Sequence, residues 1–137
     1  MLARLAVAYV ATGLAFAALD AVWLKSMGPT FYRAAIGPLM AERPDLAAAA
    51  SFYLIYIAAI LFFAITPAFA AEGGWKIALI HGAAFGFCAY ATYDLTNQAT
   101  LKAWPLRLTL VDMTWGTLLT GAAATIGYFV SRALIKT

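Results

Sequence analysis

Charge is what this sequence has least of: Asp, Glu, Lys and Arg make up 11% of its 137 residues, against roughly 25% in an average soluble domain. So few charges cannot cover a water-facing surface. With 65% hydrophobic residues and a mean hydropathy of +0.86, the chain is expected to lie in a bilayer. Cysteine is almost missing, and Cys88 alone excludes an internal disulfide or a cysteine-based metal cage within one chain. His81 is the single histidine. Metal or haem ligation there needs further donors or a symmetric partner, so no metal or cofactor is expected, and His81 is read as bonding a neighbouring helix. The nine Lys and Arg residues form no run along the sequence, which removes the electrostatic footprint of a nucleic-acid binder. The net charge of +3 and pI near 9.2 suit anionic lipid instead.

What the chain does have is long apolar runs. At roughly 20 residues per crossing there is room for about four spans and no separate soluble domain. The expected architecture is all-α, a single four-span transmembrane bundle over residues 1–137. The first span is placed at residues 2–24. Its start, with Arg4, the apolar residues 5–14 and Ala15-Phe16-Ala17, imitates a signal peptide; the apolar run continues to Leu24, beyond a usual signal core, so no cleavage is expected. Gly28-Pro29 and Gly37-Pro38 then act as breaker pairs around an ordered loop or a short interfacial helix, with Phe31 and Tyr32 as headgroup anchors. Arg43-Pro44-Asp45 reads as a helix start. The second span is placed at 46–66, ended by Pro67 and Glu72-Gly73-Gly74. The third is placed at 75–98 and the fourth at 108–135, joined across Trp104-Pro105.

Four crossings place the termini and the 67–74 turn on one side, and the 25–45 and 99–107 connections on the other. Three acids then fall at one face. Asp20 closes the first span, Asp94 nears the end of the third, and Asp112 opens the fourth, each about one turn inside the apolar boundary, or roughly 6 Å at 1.5 Å rise per residue. Small residues lead to each of them: Gly13, Ala17 and Ala21 on the first span; Ala78, Gly82, Gly86 and Tyr90 on the third; Gly116, Thr120, Ala124 and Gly127 on the fourth. Such ridges draw backbones together and set the acid at an inter-helix position. The bland alternative makes the acids interfacial, bonded to Trp23, Trp115, Thr96 or loop amides. If the three meet, they repel one another unless Lys25, Arg33, Lys102 or Arg107 folds over them.

The sharper reading is a polar pocket open to one leaflet or one aqueous side. Asp20, Asp94 and Asp112 are its acids, Tyr90, Tyr93, Trp23 and Trp115 its walls, and Asn97 and Gln98 its orienting amides. An acid beside a carboxylate could act as general acid and base, bind a cation or relay protons. The aromatics Phe52, Tyr53, Tyr56, Phe62 and Phe63 of the second span are read as lipid-facing or packing bulk. Asp20-Ala-Val-Trp23 and Asp112-Met-Thr-Trp115 hint at an inverted repeat, since one closes a helix and the other opens one.

Leu19-Asp-Ala-Val-Trp-Leu24, Tyr93-Asp-Leu-Thr-Asn97, Ala99-Thr100, Trp104-Pro105 and Asp112-Met-Thr-Trp-Gly116 together resemble a family of small bacterial membrane proteins of unknown function. The resemblance covers nearly the full length and implies a four-helix protein of the bacterial inner membrane. It brings no activity with it. Three functions stand as expectations: a membrane-embedded site for a small or lipid-like ligand, an accessory or structural subunit of a larger membrane complex, and a proton or cation pathway in a homo-oligomer. Four basic residues on the terminal side against five on the other leave orientation nearly balanced. Pairing of the five with nearby acids tips the expectation towards cytoplasmic termini.

Overall fold

The computed structural model describes residues 1–136, and among these it is helical with no strand. Four long helices form the bundle: α1 (Leu2–Met27), α2 (Leu46–Ala70), α3 (Gly74–Thr100) and α4 (Leu106–Leu134). Three run somewhat past their expected ends. The largest difference follows α1. Gly28-Pro29 does not stop the chain, because a wide turn over Gly28–Tyr32 lets the Arg33 N–H reach the Gly28 carbonyl and absorbs the proline. Helical structure continues through Arg33–Ile36 and a tight Gly37–Leu39 turn before Met40 becomes extended. Of the expected ordered loop or short interfacial helix, the helical form is found, continuous with α1 and carrying Tyr32 back over the bundle. Asp45 caps α2 directly, accepting from the Ala47 and Ala48 N–H groups at 3.0 Å each.

Pro67 likewise fails to end α2. The turn Leu61–Ile65 widens so that the Thr66 N–H bonds the Leu61 carbonyl, and the helix continues to Ala70. In a regular helix the Phe63 carbonyl would accept from residue 67, whose N–H proline lacks. His81 of α3 supplies the partner, with Nδ1 3.2 Å from the Phe63 oxygen. The lone histidine therefore bonds a neighbouring helix, at a carbonyl one turn before Pro67.

The closest packing in the bundle joins α3 to α4, followed by α1 to α4. Gly86 explains the first. A Cβ there would stand 2.6 Å from the Thr120 Cβ, so only glycine allows this approach. The stripes read from the sequence, Ala78-Gly82-Gly86 and Gly116-Thr120-Ala124, are the buried faces of these two helices. On α1 the outcome differs: the buried stripe is Ala8, Thr12, Phe16 and Asp20, while Ala17 and Ala21 are exposed. The α1 ridge of small residues is therefore not its packing face. Phe16, Ile60, Ile65 and Leu119 fill the centre.

By length and composition, the run Leu2–Leu39 (mean hydropathy 1.9) and α2 (2.3) are apolar enough to cross a membrane. In α3 and α4, charged and polar residues such as Lys76, His81, Asp94 and Asp112 lower the average, with the seam glycines adding to it. Their outer faces are nonetheless apolar, with Ile80 and Phe87 on α3 and Leu110, Leu118 and Phe129 on α4 all exposed.

Candidate functional site

Asp20, Asp94 and Asp112 lie at the same end of the bundle, each buried: Asp94 is 0% exposed, Asp112 6% and Asp20 9%. Their surroundings differ sharply. Asp20 receives two hydrogen bonds, from the Tyr53 hydroxyl at 2.6 Å and the Trp115 indole N–H at 3.2 Å. Asp112 accepts a short bond from the Tyr32 hydroxyl, which in turn accepts from the Trp23 indole N–H at 2.9 Å. The indoles of Trp23 and Trp115 stack with centroids 4.4 Å apart and planes 4° from parallel. The two Asp-x-x-Trp motifs are thus linked reciprocally: Trp115 holds Asp20 directly, and Trp23 holds Asp112 through Tyr32. No lysine or arginine forms an ion pair with the three carboxyls among the described residues; neutral donors do the work expected of a folded-over cation.

Asp94 is the exception. Its carboxyl lies beside that of Asp112, and among the described residues neither of its oxygens meets a hydrogen-bond donor. Two carboxyls in that relation can bond each other only by sharing a proton. An orphaned acceptor at such depth costs about 1–3 kcal/mol or more. A buried polar group left open therefore calls for an explanation beyond packing.

A cavity of about 250 Å³ adjoins Asp112 and not Asp94, lined by Phe52 and Tyr56 of α2, Ala89, Tyr90 and Tyr93 of α3, and Asp112. It exists because α2 meets α3 through residues 61–70, while the 46–60 half of α2 barely touches that helix. The two helices diverge towards the acidic end and leave a gap on the side of the bundle. Tyr90 lies between Asp20 and Asp112, its ring against Gly116, where any Cβ would collide with it. Tyr56 shares a 2.8 Å bond with Thr120 and stacks on Phe85.

The remaining expected residues are arranged differently from the anticipated wall. Trp23 and Trp115 form the stacked seam behind the acids and do not line the cavity. Tyr93 lines it, half-exposed, with its ring edge against Trp104. Asn97 is half-buried and closes α3 through its carbonyl, which accepts from the Leu101 N–H at 2.8 Å. The Gln98 side-chain oxygen is buried without a donor among the described residues. Tyr32, Tyr53 and Tyr56 were assigned to anchoring or bulk by sequence, and their hydroxyls prove central. The only sequence signal for the last two was their spacing of three on one helical face.

The family model described as "Predicted membrane protein (DUF2177)" matches residues 5–129. No curated protein and no solved structure matches the chain.

Proposed function

Because the chain belongs to this family of predicted membrane proteins, we propose that it is a multi-pass protein of the bacterial inner membrane whose Asp94–Asp112 pair receives the polar head of a small lipid-like ligand. All four helices cross, and the gap between α2 and α3 opens sideways to lipid. The observation that carries this reading is Asp94, wholly buried, with no donor on either oxygen, beside a carboxyl that lines a cavity. The lining defines the head group. Carboxyls accept and cannot donate once ionised, and the faces of Tyr56, Tyr90 and Phe52 favour positive charge. A protonated amine satisfies both, and a hydroxyl satisfies the first. A volume of about 250 Å³, below the roughly 300 Å³ at which drug-sized pockets begin, suits a head group whose apolar body stays in the gap.

Conduction through a single chain is disfavoured by the core that separates this end from the other. Phe16, Ile60, Ile65 and Leu119 are at most 1% exposed, and the hydroxyls of Thr12 and Thr120 among them are themselves fully buried. The test uses the full chain in neutral detergent and three amphiphiles of equal tail length: a primary amine, an alcohol and a carboxylic acid. The amine is expected to raise the unfolding temperature most and the acid not at all, with the amine effect lost in Asp94→Asn/Asp112→Asn. Equal responses to the three, or an undiminished amine effect in the double variant, sink the proposal.

A further inference from the structure

The end of the bundle opposite the acids holds a second feature, independent of them. The basic residues form no run in the sequence, but the fold gathers three of the nine, Arg4, Arg132 and Lys136, around one cleft of about 560 Å³. Phe69 and Gly73 also line it, and Glu72 is the single acid lining it among the described residues. Both guanidiniums are held in place. Arg4 donates to the Ile135 carbonyl at 3.0 Å and lies 5.3 Å from the Phe69 ring centre. Arg132 donates to the Tyr128 hydroxyl at 2.8 Å and lies 5.6 Å from the same tyrosine's ring centre. The Arg132 guanidinium has five donors, so its bond to Tyr128 leaves capacity for an anion.

The start of α3 adds to the positive field. Its cap is Gly73, without a side-chain bond, and its first turn contains no acid to offset the amides. A second cleft of about 340 Å³ shares Gly73 and Arg132 with the first and is otherwise apolar, lined by Trp75, Phe129 and Ala133 among others. A cationic cleft running into an apolar one at the end of a membrane bundle has the polarity of a phospholipid, phosphate first and acyl chain after.

We propose that this double cleft is a binding site for an anionic phospholipid, its phosphodiester held by Arg132 and Lys136 and the start of an acyl chain laid along Trp75 and Phe129. The shared chemistry is a phosphate oxyanion on a guanidinium fork. The apolar arm distinguishes a lipid from a free anion, and basic pockets between membrane helices recognise acidic headgroups by this chemistry.

The experiment measures binding of phosphatidylglycerol, phosphatidylcholine and inorganic phosphate to the detergent-purified full chain, by native mass spectrometry and by the shift in unfolding temperature. Phosphatidylglycerol is expected to bind about tenfold more tightly than phosphatidylcholine, and inorganic phosphate to give no shift. Arg132→Gln/Lys136→Gln should reduce phosphatidylglycerol to the phosphatidylcholine level at unchanged helix content. Lys102→Gln, at the other end, should change nothing. Should the double variant fail to fold, Lys136→Gln alone, on an exposed residue, is expected to cut the selectivity severalfold. Equal binding of the two lipids, selectivity that survives these substitutions, or an equal effect of inorganic phosphate overturns the proposal.

Discussion

Asp94 and Asp20 are the same residue type at the same end of the bundle, yet their partners predict opposite responses to substitution. Asp20 accepts from Tyr53 and Trp115. Asp20→Ala leaves two buried donors unpaired and is expected to cost about 2–4 kcal/mol. Asp94 has no donor to lose, so Asp94→Asn, which keeps the shape and removes a carboxyl from beside Asp112, is expected to be neutral or to stabilise by up to about 1 kcal/mol. Unfolding curves of the two variants against the parent decide it; a strongly destabilised Asp94→Asn would mean that this carboxyl is structural. The contrast also marks what a sequence can disclose at this scale. Each acid could be assigned to an end of the bundle, because helix direction and rise fix that from spacing alone. The tyrosines could not. Whether a phenol anchors in headgroups or donates to a carboxyl depends on what another helix brings to its tip, and the partners of Tyr32 and Tyr53 are 80 and 33 residues away in sequence.

At the scale of the element, α2 shows how a proline inside a long apolar helix is accommodated. Pro67 removes a donor, the preceding turn widens, and His81 from α3 meets the Phe63 carbonyl. A double-mutant cycle isolates this link. His81→Ala is expected to cost about 1–2 kcal/mol in the parent. In a Pro67→Ala background, where residue 67 again has an N–H, it should cost close to nothing. Equal costs in both backgrounds would separate His81 from the proline. The same scale explains a partial success of the small-residue stripes. On α3 and α4 they mark the packed seam, whereas on α1 Ala17 and Ala21 face outward and only Gly13 borders a neighbour, Ile57. Small residues permit a close approach and do not require one. The face that packs is chosen by the larger groups with somewhere to go, here Phe16 against Tyr53 and Tyr56, with centroids 5.5 and 5.3 Å away.

For the whole molecule, the two ends of the bundle are chemically distinct. One gathers acids bonded by tyrosines and tryptophans, the other arginines on aromatic faces, and the apolar middle joins them. The proposed four crossings draw on this polarity and on the exposed apolar residues along all four helices, although the mean hydropathy singles out only two. Averaging over a helix mixes its outer face with its seam, so the buried glycines of α3 and the buried glycines and threonines of α4 lower the mean together with exposed polar groups such as His81 and Thr92. Site-directed labelling separates four crossings from two. In a Cys88→Ser background, single cysteines replacing Glu72 or Lys136 are expected to react with an impermeant maleimide from one side of a sealed vesicle. Cysteines replacing Glu42 or Lys102 should react only from the other. If α1 and α2 alone cross, the link between α3 and α4 stays on the side of the termini, and position 102 labels together with 72 and 136. That pattern would also remove the lateral gap between α2 and α3 from the bilayer, and with it the route by which a lipid-like ligand reaches Asp94.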